Sequence, residues 1–152
     1  MTAPAAGPAA GVAALQRTLA AENAAIFGYG VAGAYLTGKR QATATAFWNA
    51  HRSAADTLTA MLRARGARPA AADAAYKMPF PVRDARQAAA LAALLEDGVT
   101  AAYLGLVGAG DGTLRRFGAL AMQDCAVRAA VWRGSGQAFP GFPGGTLTAG
   151  RG

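Results

Sequence analysis

Four stretches of the chain repeat apolar residues in alternating steps of three and four, the spacing that lines one face of an α-helix. The first stripe, Leu15, Leu19, Glu22, Ile26, Tyr29, Gly33 and Leu36, predicts a helix over Val12 to Leu36, closed by Thr37 and Gly38. Trp48, His51, Ala55, Leu58 and Leu62 mark a second, from Gln41 to Ala64, stopped by Gly66. Asp84 followed by Gln87 reads as a capping box opening a third, Ala85 to Val107. Its stripe is Leu91 or Ala92, Glu96, Val99, Tyr103 and Leu106. The fourth, Thr113 to Arg133, follows the Gly108-Ala109-Gly110-Asp111-Gly112 turn and presents Phe117, Leu120, Asp124, Val127 and Val131.

Link lengths then fix the connectivity. Short turns join the first helix to the second and the third to the fourth, so each pair should form an antiparallel hairpin. The stretch from Ala67 to Arg83 holds Pro69, Pro79 and Pro81. It cannot be one helix, because proline removes a backbone donor and restricts the residue before it. Two hairpins joined by one long crossover make an all-α, ferritin-like antiparallel four-helix bundle. The expected organisation is a disordered N-terminus over residues 1–11, the bundle over 12–133 and an extended tail over 134–152.

Composition agrees with helices packed closely. The chain has 152 residues and is 53% hydrophobic, but much of that is alanine, and only 8% is aromatic. Alanine is the best helix former and leaves little bulk to fill a sheet sandwich. Fifteen Lys and Arg against eight acids give a net charge of +7, a balance that can suit nucleic acid. The arginines are scattered, however, with no recognition motif and no aromatic platform for bases, which argues against nucleic-acid binding. Cys125 stands alone, which excludes an internal disulfide and a cysteine-rich zinc site. Residues 1–11 lack the basic and leucine-rich regions of a signal peptide. The uncharged stretch from Ala24 to Leu36 is too short to span a bilayer. A cytoplasmic protein with no membrane partner is expected.

The candidate chemistry lies on the stripes themselves. Each helix puts one ionisable residue near mid-length: Glu22, His51, Glu96 and Asp124. Glu22 and Glu96 are the only glutamates in the chain. Burying a carboxylate without a partner costs several kcal/mol, so something must receive them. A metal is one receiver: iron, manganese or zinc held by Glu22, His51, Glu96 and Asp124. The two-metal version of this fold takes a Glu from each of two helices and a Glu-x-x-His pair from each of the others. Here Trp48 stands where the second helix needs a glutamate, and Val127 where the fourth needs a histidine. The other receivers are a salt-bridge network around His51 and a pocket for an organic ligand. The reading that follows is a structural or interaction protein with a degenerate metal site and no resident cofactor. The alternative is a metal-binding protein with oxidase or ferroxidase chemistry.

Several segments carry a family likeness. Leu19-Ala-Ala-Glu22-Asn-Ala-Ala-Ile-Phe-Gly28-Tyr-Gly30-Val, His51-Arg52 with Asp56, and Tyr76-Lys-Met-Pro79-Phe-Pro81-Val are three of them. Leu95-Glu96-Asp97-Gly98, Ala126-Val-Arg128-Ala-Ala-Val-Trp132-Arg133 and Phe139-Pro140-Gly141 complete the set. In this order, over about residues 12 to 143, the chain resembles a bacterial ferritin-like family known only as a domain of unknown function. The resemblance implies the ferritin-like fold and a homodimer. It departs at Asn23, where the family pattern leads one to expect histidine.

Three further features were weighed. Gly28-x-Gly30-x-x-Gly33 matches the dinucleotide fingerprint by letter, but it lies inside a helix instead of after a strand, so close helix packing is expected. Gly145 to Arg151 loosely resembles the C-terminal peptides by which ferritin-like cargo docks in encapsulin shells. Phe139 and Phe142 suggest an extended strap folded over an apolar groove.

Overall fold

The computed structural model describes residues 7–109 and 111–134. The encapsulin-like peptide, Phe139 and Phe142 lie outside them. The described chain forms four helices, α1 (Pro8–Gly33), α2 (Gly38–Ala64), α3 (Ala85–Ala109) and α4 (Gly112–Arg133). They form two antiparallel hairpins joined by a long crossover. α1 packs against α2 and α3, and α3 packs against α4.

Most helix ends follow local chemistry. α1 starts four residues before the expected Val12, with Pro8 in its first turn, where a missing N–H removes no helical bond. It also takes in residues 8–11, which the periodicity leaves outside. It stops at Gly33, and Leu36 is buried beyond the turn. Gly38 does adopt a positive φ of 56°, but it opens α2 instead of closing α1. α2 ends in a Schellman motif: the Gly66 N–H donates to the Arg63 carbonyl and the Ala67 N–H to that of Leu62. At α3 the Asp84 carboxylate accepts from the Gln87 N–H at 2.7 Å. The Gln87 side chain reaches one residue further back than a standard capping box, accepting from the Arg83 N–H at 2.8 Å. Asp111 caps α4 by accepting from the Leu114 N–H.

The crossover is pinned to the bundle rather than draped over it. The Gln16 amide donates to the Arg68 carbonyl at 2.8 Å and accepts from the Ala70 N–H at 2.9 Å. Further along, Val82 is buried, and Met78 and Phe80 pack against the core.

The interior comprises two apolar clusters. One is built around Leu15, Leu19, Leu58, Leu62, Leu106 and Leu114. The other surrounds Leu36, Val82, Leu91 and Trp132. Fully buried Glu22, His51 and Glu96 lie in the same interior. By length and composition alone α3 could cross a membrane, yet its buried face packs on α1 and α4.

α4 presents a different face from the one its periodicity predicts. Leu120, Val127 and Val131 are 52%, 64% and 54% exposed, while Leu114, Gly118, Cys125, Ala129 and Trp132 are buried. The cause is close packing. A Cβ on Gly118 would sit 3.2 Å from the Tyr103 carbonyl oxygen and 3.0 Å from Val107 Cγ2, so only the small-residue face lets α4 approach α3. Gly28 also marks a close approach, but there a Cβ would meet the Leu95 methyls at 2.5 and 2.9 Å. Alanine in place of glycine adds roughly 1 kcal/mol of helix propensity. At position 118 it must also push on backbone, which costs about 1–3 kcal/mol. In denaturant unfolding, Gly118→Ala is therefore expected to be destabilised, and Gly28→Ala, where Leu95 can turn aside, to stay within about 1 kcal/mol of the parent. Equal effects at both positions would contradict this account.

Candidate functional site

Mid-bundle, α1 supplies Glu22 and Tyr29, α2 supplies His51, α3 supplies Glu96 and Tyr103, and α4 supplies Arg128, Cys125 and Trp132. His51 sits between the two carboxylates. Its Nδ1 lies 2.6 Å from Glu22 Oε2 and its Nε2 lies 3.0 Å from Glu96 Oε1. Two acceptors facing both ring nitrogens require a proton on each, which defines an imidazolium. Burial alone would favour the neutral ring, but the hydrogen bonds and charges of Glu22 and Glu96 outweigh it and raise the His51 pKa to about 9.

The tyrosines cross over. Tyr29 on α1 donates to Glu96 Oε1 on α3 at 2.6 Å, and Tyr103 on α3 donates to Glu22 Oε1 on α1 at 2.6 Å. Both pairs have the same spacing, a glutamate followed by a tyrosine seven residues later, on two antiparallel neighbours. Trp132 Nε1 donates to the Tyr29 hydroxyl at 2.8 Å. On the α4 side, Arg128 Nε lies 3.1 and 3.2 Å from the two Glu96 oxygens, and its Nη2 donates to Cys125 Sγ at 3.2 Å. Burial would raise the Glu96 carboxyl pKa, but His51, Arg128 and Tyr29 together hold it below the usual range. Burial, then the facing glutamate, pushes both tyrosine hydroxyls far up. Burial likewise keeps the Cys125 thiol protonated despite Arg128, which removes the thiolate that a nucleophile needs. Among the described residues no buried side-chain nitrogen or oxygen lacks a partner.

The structure thus gathers Glu22, His51 and Glu96 and leaves out Asp124. Asp124 is exposed and stands on the lip of a cleft of about 310 Å³ between α2 and α4, which Glu22, Tyr103 and Arg128 also line. The position expected of it at the centre belongs to Cys125 and Arg128, because neighbouring residues on a helix point about 100° apart. Trp48, standing where a metal-binding glutamate was sought, donates its Nε1 to the Ile26 carbonyl at 3.1 Å and carries Arg52 on its ring face.

A metal does not fit this donor set. Both imidazole nitrogens point at carboxylates, and every polar atom of the two glutamates faces a hydrogen or a cation. Among the described residues no group of three or more His, Cys, Asp or Glu side chains is placed to hold a metal ion.

Arg128 and the two tyrosines were missed as partners of the site. An arginine on a helix is ordinarily read as surface. The identical Glu-to-Tyr spacing on the first and third stripes was the one signal that could have joined them.

Fold and site together define a class: a four-helix protein whose interior holds a closed network of two carboxylates, an imidazolium and a guanidinium. Sequence comparison makes the class specific. The chain belongs to the family described as Domain of unknown function (DUF4439), which it matches over residues 14–144. It is similar to a crystal structure of a conserved hypothetical protein, rv2844, from Mycobacterium tuberculosis. The two share 33% identity and a TM-score of 0.79, over 82% of this chain and 96% of that one. No curated protein matches.

Proposed function

We propose that this chain is a ferritin-like bundle whose metal centre has been replaced by an internal ion network, and that it serves as a structural or interaction protein. The observation that carries this reading is His51 held on both nitrogens between Glu22 and Glu96. A ligand histidine must offer a free lone pair to its metal, and here both sites carry protons. Arg128 adds a cation where a carboxylate-bridged metal pair would need a ligand. Buried ion sets of this kind add little net stability but can fix how helices register. A homodimer in the cytoplasm, as the family likeness implies, belongs to the same proposal, and sedimentation equilibrium tests the dimer.

Elemental analysis of protein purified without chelator or affinity-tag metal tests the central point. The expected result is no stoichiometric iron, manganese or zinc. One or two ions per chain, lost in His51→Ala, would overturn the proposal and favour a metalloprotein with oxidase-type chemistry.

A further inference from the structure

At one end of the bundle the fourth wall is missing. Arg133, the last residue of α4, pairs with Asp97 of α3. Gly134 then turns left-handed at φ 75° and ends the helix. α3 runs on past this point through residues 85–96, three turns that span roughly 18 Å at about 1.5 Å per residue. No part of α4 is left to cover them. A groove of about 500 Å³ occupies the place. Its floor is apolar, formed by Ala89, Ala93 and Leu94 of α3, Phe80 of the crossover and Trp132. Leu94 is 44% exposed there, although it is a large aliphatic side chain. Arg40, Arg86 and Arg133 form the rim. Among the described residues neither Arg40 nor Arg86 pairs with a carboxylate.

We propose that the chain's own segment Phe139-Pro140-Gly141-Phe142 folds back into this groove and takes the place of the fourth helix over the first three turns of α3. Three observations single out this occupant. The chain leaves α4 at the groove's edge, because Trp132 and Arg133 belong to its lining. Phe139 is the fifth residue beyond Gly134, within about 17 Å of it in extended chain, close to the length of the uncovered turns. The family match continues to residue 144, ten residues past Gly134, so the segment belongs to the same unit as the helices. Its chemistry fits as well. The phenylalanines suit an alanine and leucine floor beside an indole. Pro140 and Pro143 cannot donate backbone hydrogen bonds, so the strap presents mainly carbonyls, which a rim of guanidiniums can bind. A seated strap would also cover Trp132, whose indole N–H holds Tyr29 and through it the central network.

The test compares the full chain with Phe139→Ser/Phe142→Ser by amide hydrogen exchange and isotope-edited NMR. Residues 85–96 are expected to exchange on the order of tenfold faster or more in the variant, with residues 97–109 unchanged. In the parent chain, the Phe139 ring should give through-space contacts to Leu94 and Trp132. Equal protection of residues 85–96 in both proteins would overturn the proposal. So would Phe139 contacts that appear only between differently labelled chains in a mixed sample, since the strap would then belong to a second copy. Tight binding of laurate, an amphipathic anion, to the parent chain at Arg40 and Arg86 that the double substitution leaves unchanged would overturn it too. Where the variant is too unstable to compare, the NMR contacts of the parent decide alone.

Discussion

Glu96→Ala is expected to lower the unfolding free energy by about 3–5 kcal/mol, a large fraction of the roughly 5–15 kcal/mol available to a domain of this size. The size of the effect follows from what remains. Glu96 receives Tyr29, His51 and Arg128. Without it, a buried imidazolium keeps only Glu22, and Arg128 loses its carboxylate. The reference is an ion pair at the surface. Arg65 and Asp111 approach to 3.4 Å with substantial solvent exposure, and Arg65→Ala should cost no more than about 1 kcal/mol. Urea unfolding followed by circular dichroism measures both. A Glu96→Ala loss no larger than that of Arg65→Ala would mean that water or a rearranged side chain already compensates the centre.

Stability should also fall on the alkaline side of neutrality. The His51 pKa is raised from 6.5 to about 9 in the folded chain, so the folded state holds this proton more tightly than the unfolded one. The resulting stabilisation is fully present below pH 6.5 and disappears as the pH climbs through about 9. Its size is about 3 kcal/mol at 1.36 kcal/mol per pH unit. Glu96 acts in the opposite direction. Its depressed pKa stabilises the fold above the ordinary 4.5, and that contribution is lost as the pH falls through the folded value. Stability should therefore plateau between these limits. His51 is the chain's only histidine, so its ring protons can be followed by NMR without assignment ambiguity. They should report a charged ring at neutral pH that titrates near 9, in step with the loss of stability. Titration at the ordinary value would contradict the bracketed imidazolium.

The fold was legible because its signals are local: stripes, caps, prolines and link lengths. Three of the four candidate residues, Glu22, His51 and Glu96, could be placed at the centre for the same reason. Asp124 could not, and the cause is instructive. α4 carries two stripes, one of bulky Leu120, Val127 and Val131, the other of Gly118, Cys125 and Ala129. Periodicity favours the bulky one. The decision lies in the partner helix, since the Tyr103 carbonyl and Val107 leave no room opposite for anything but small residues. Arg128 follows from the same rotation of α4, and no pattern within α4 alone marks its cation as internal.

The crossed glutamate–tyrosine pairs have a consequence for assembly. Each hairpin carries half of the network: Glu22, Tyr29 and His51 on the first, Glu96, Tyr103 and Arg128 on the second. Neither tyrosine bonds the glutamate of its own hairpin; each reaches across to the other. A hairpin by itself is thus a lock without its key, and sliding one past the other by a single turn would break both crossed bonds together. The two halves of the chain can dock in only one register, and the buried charges that make an undocked hairpin costly are the ones that enforce it.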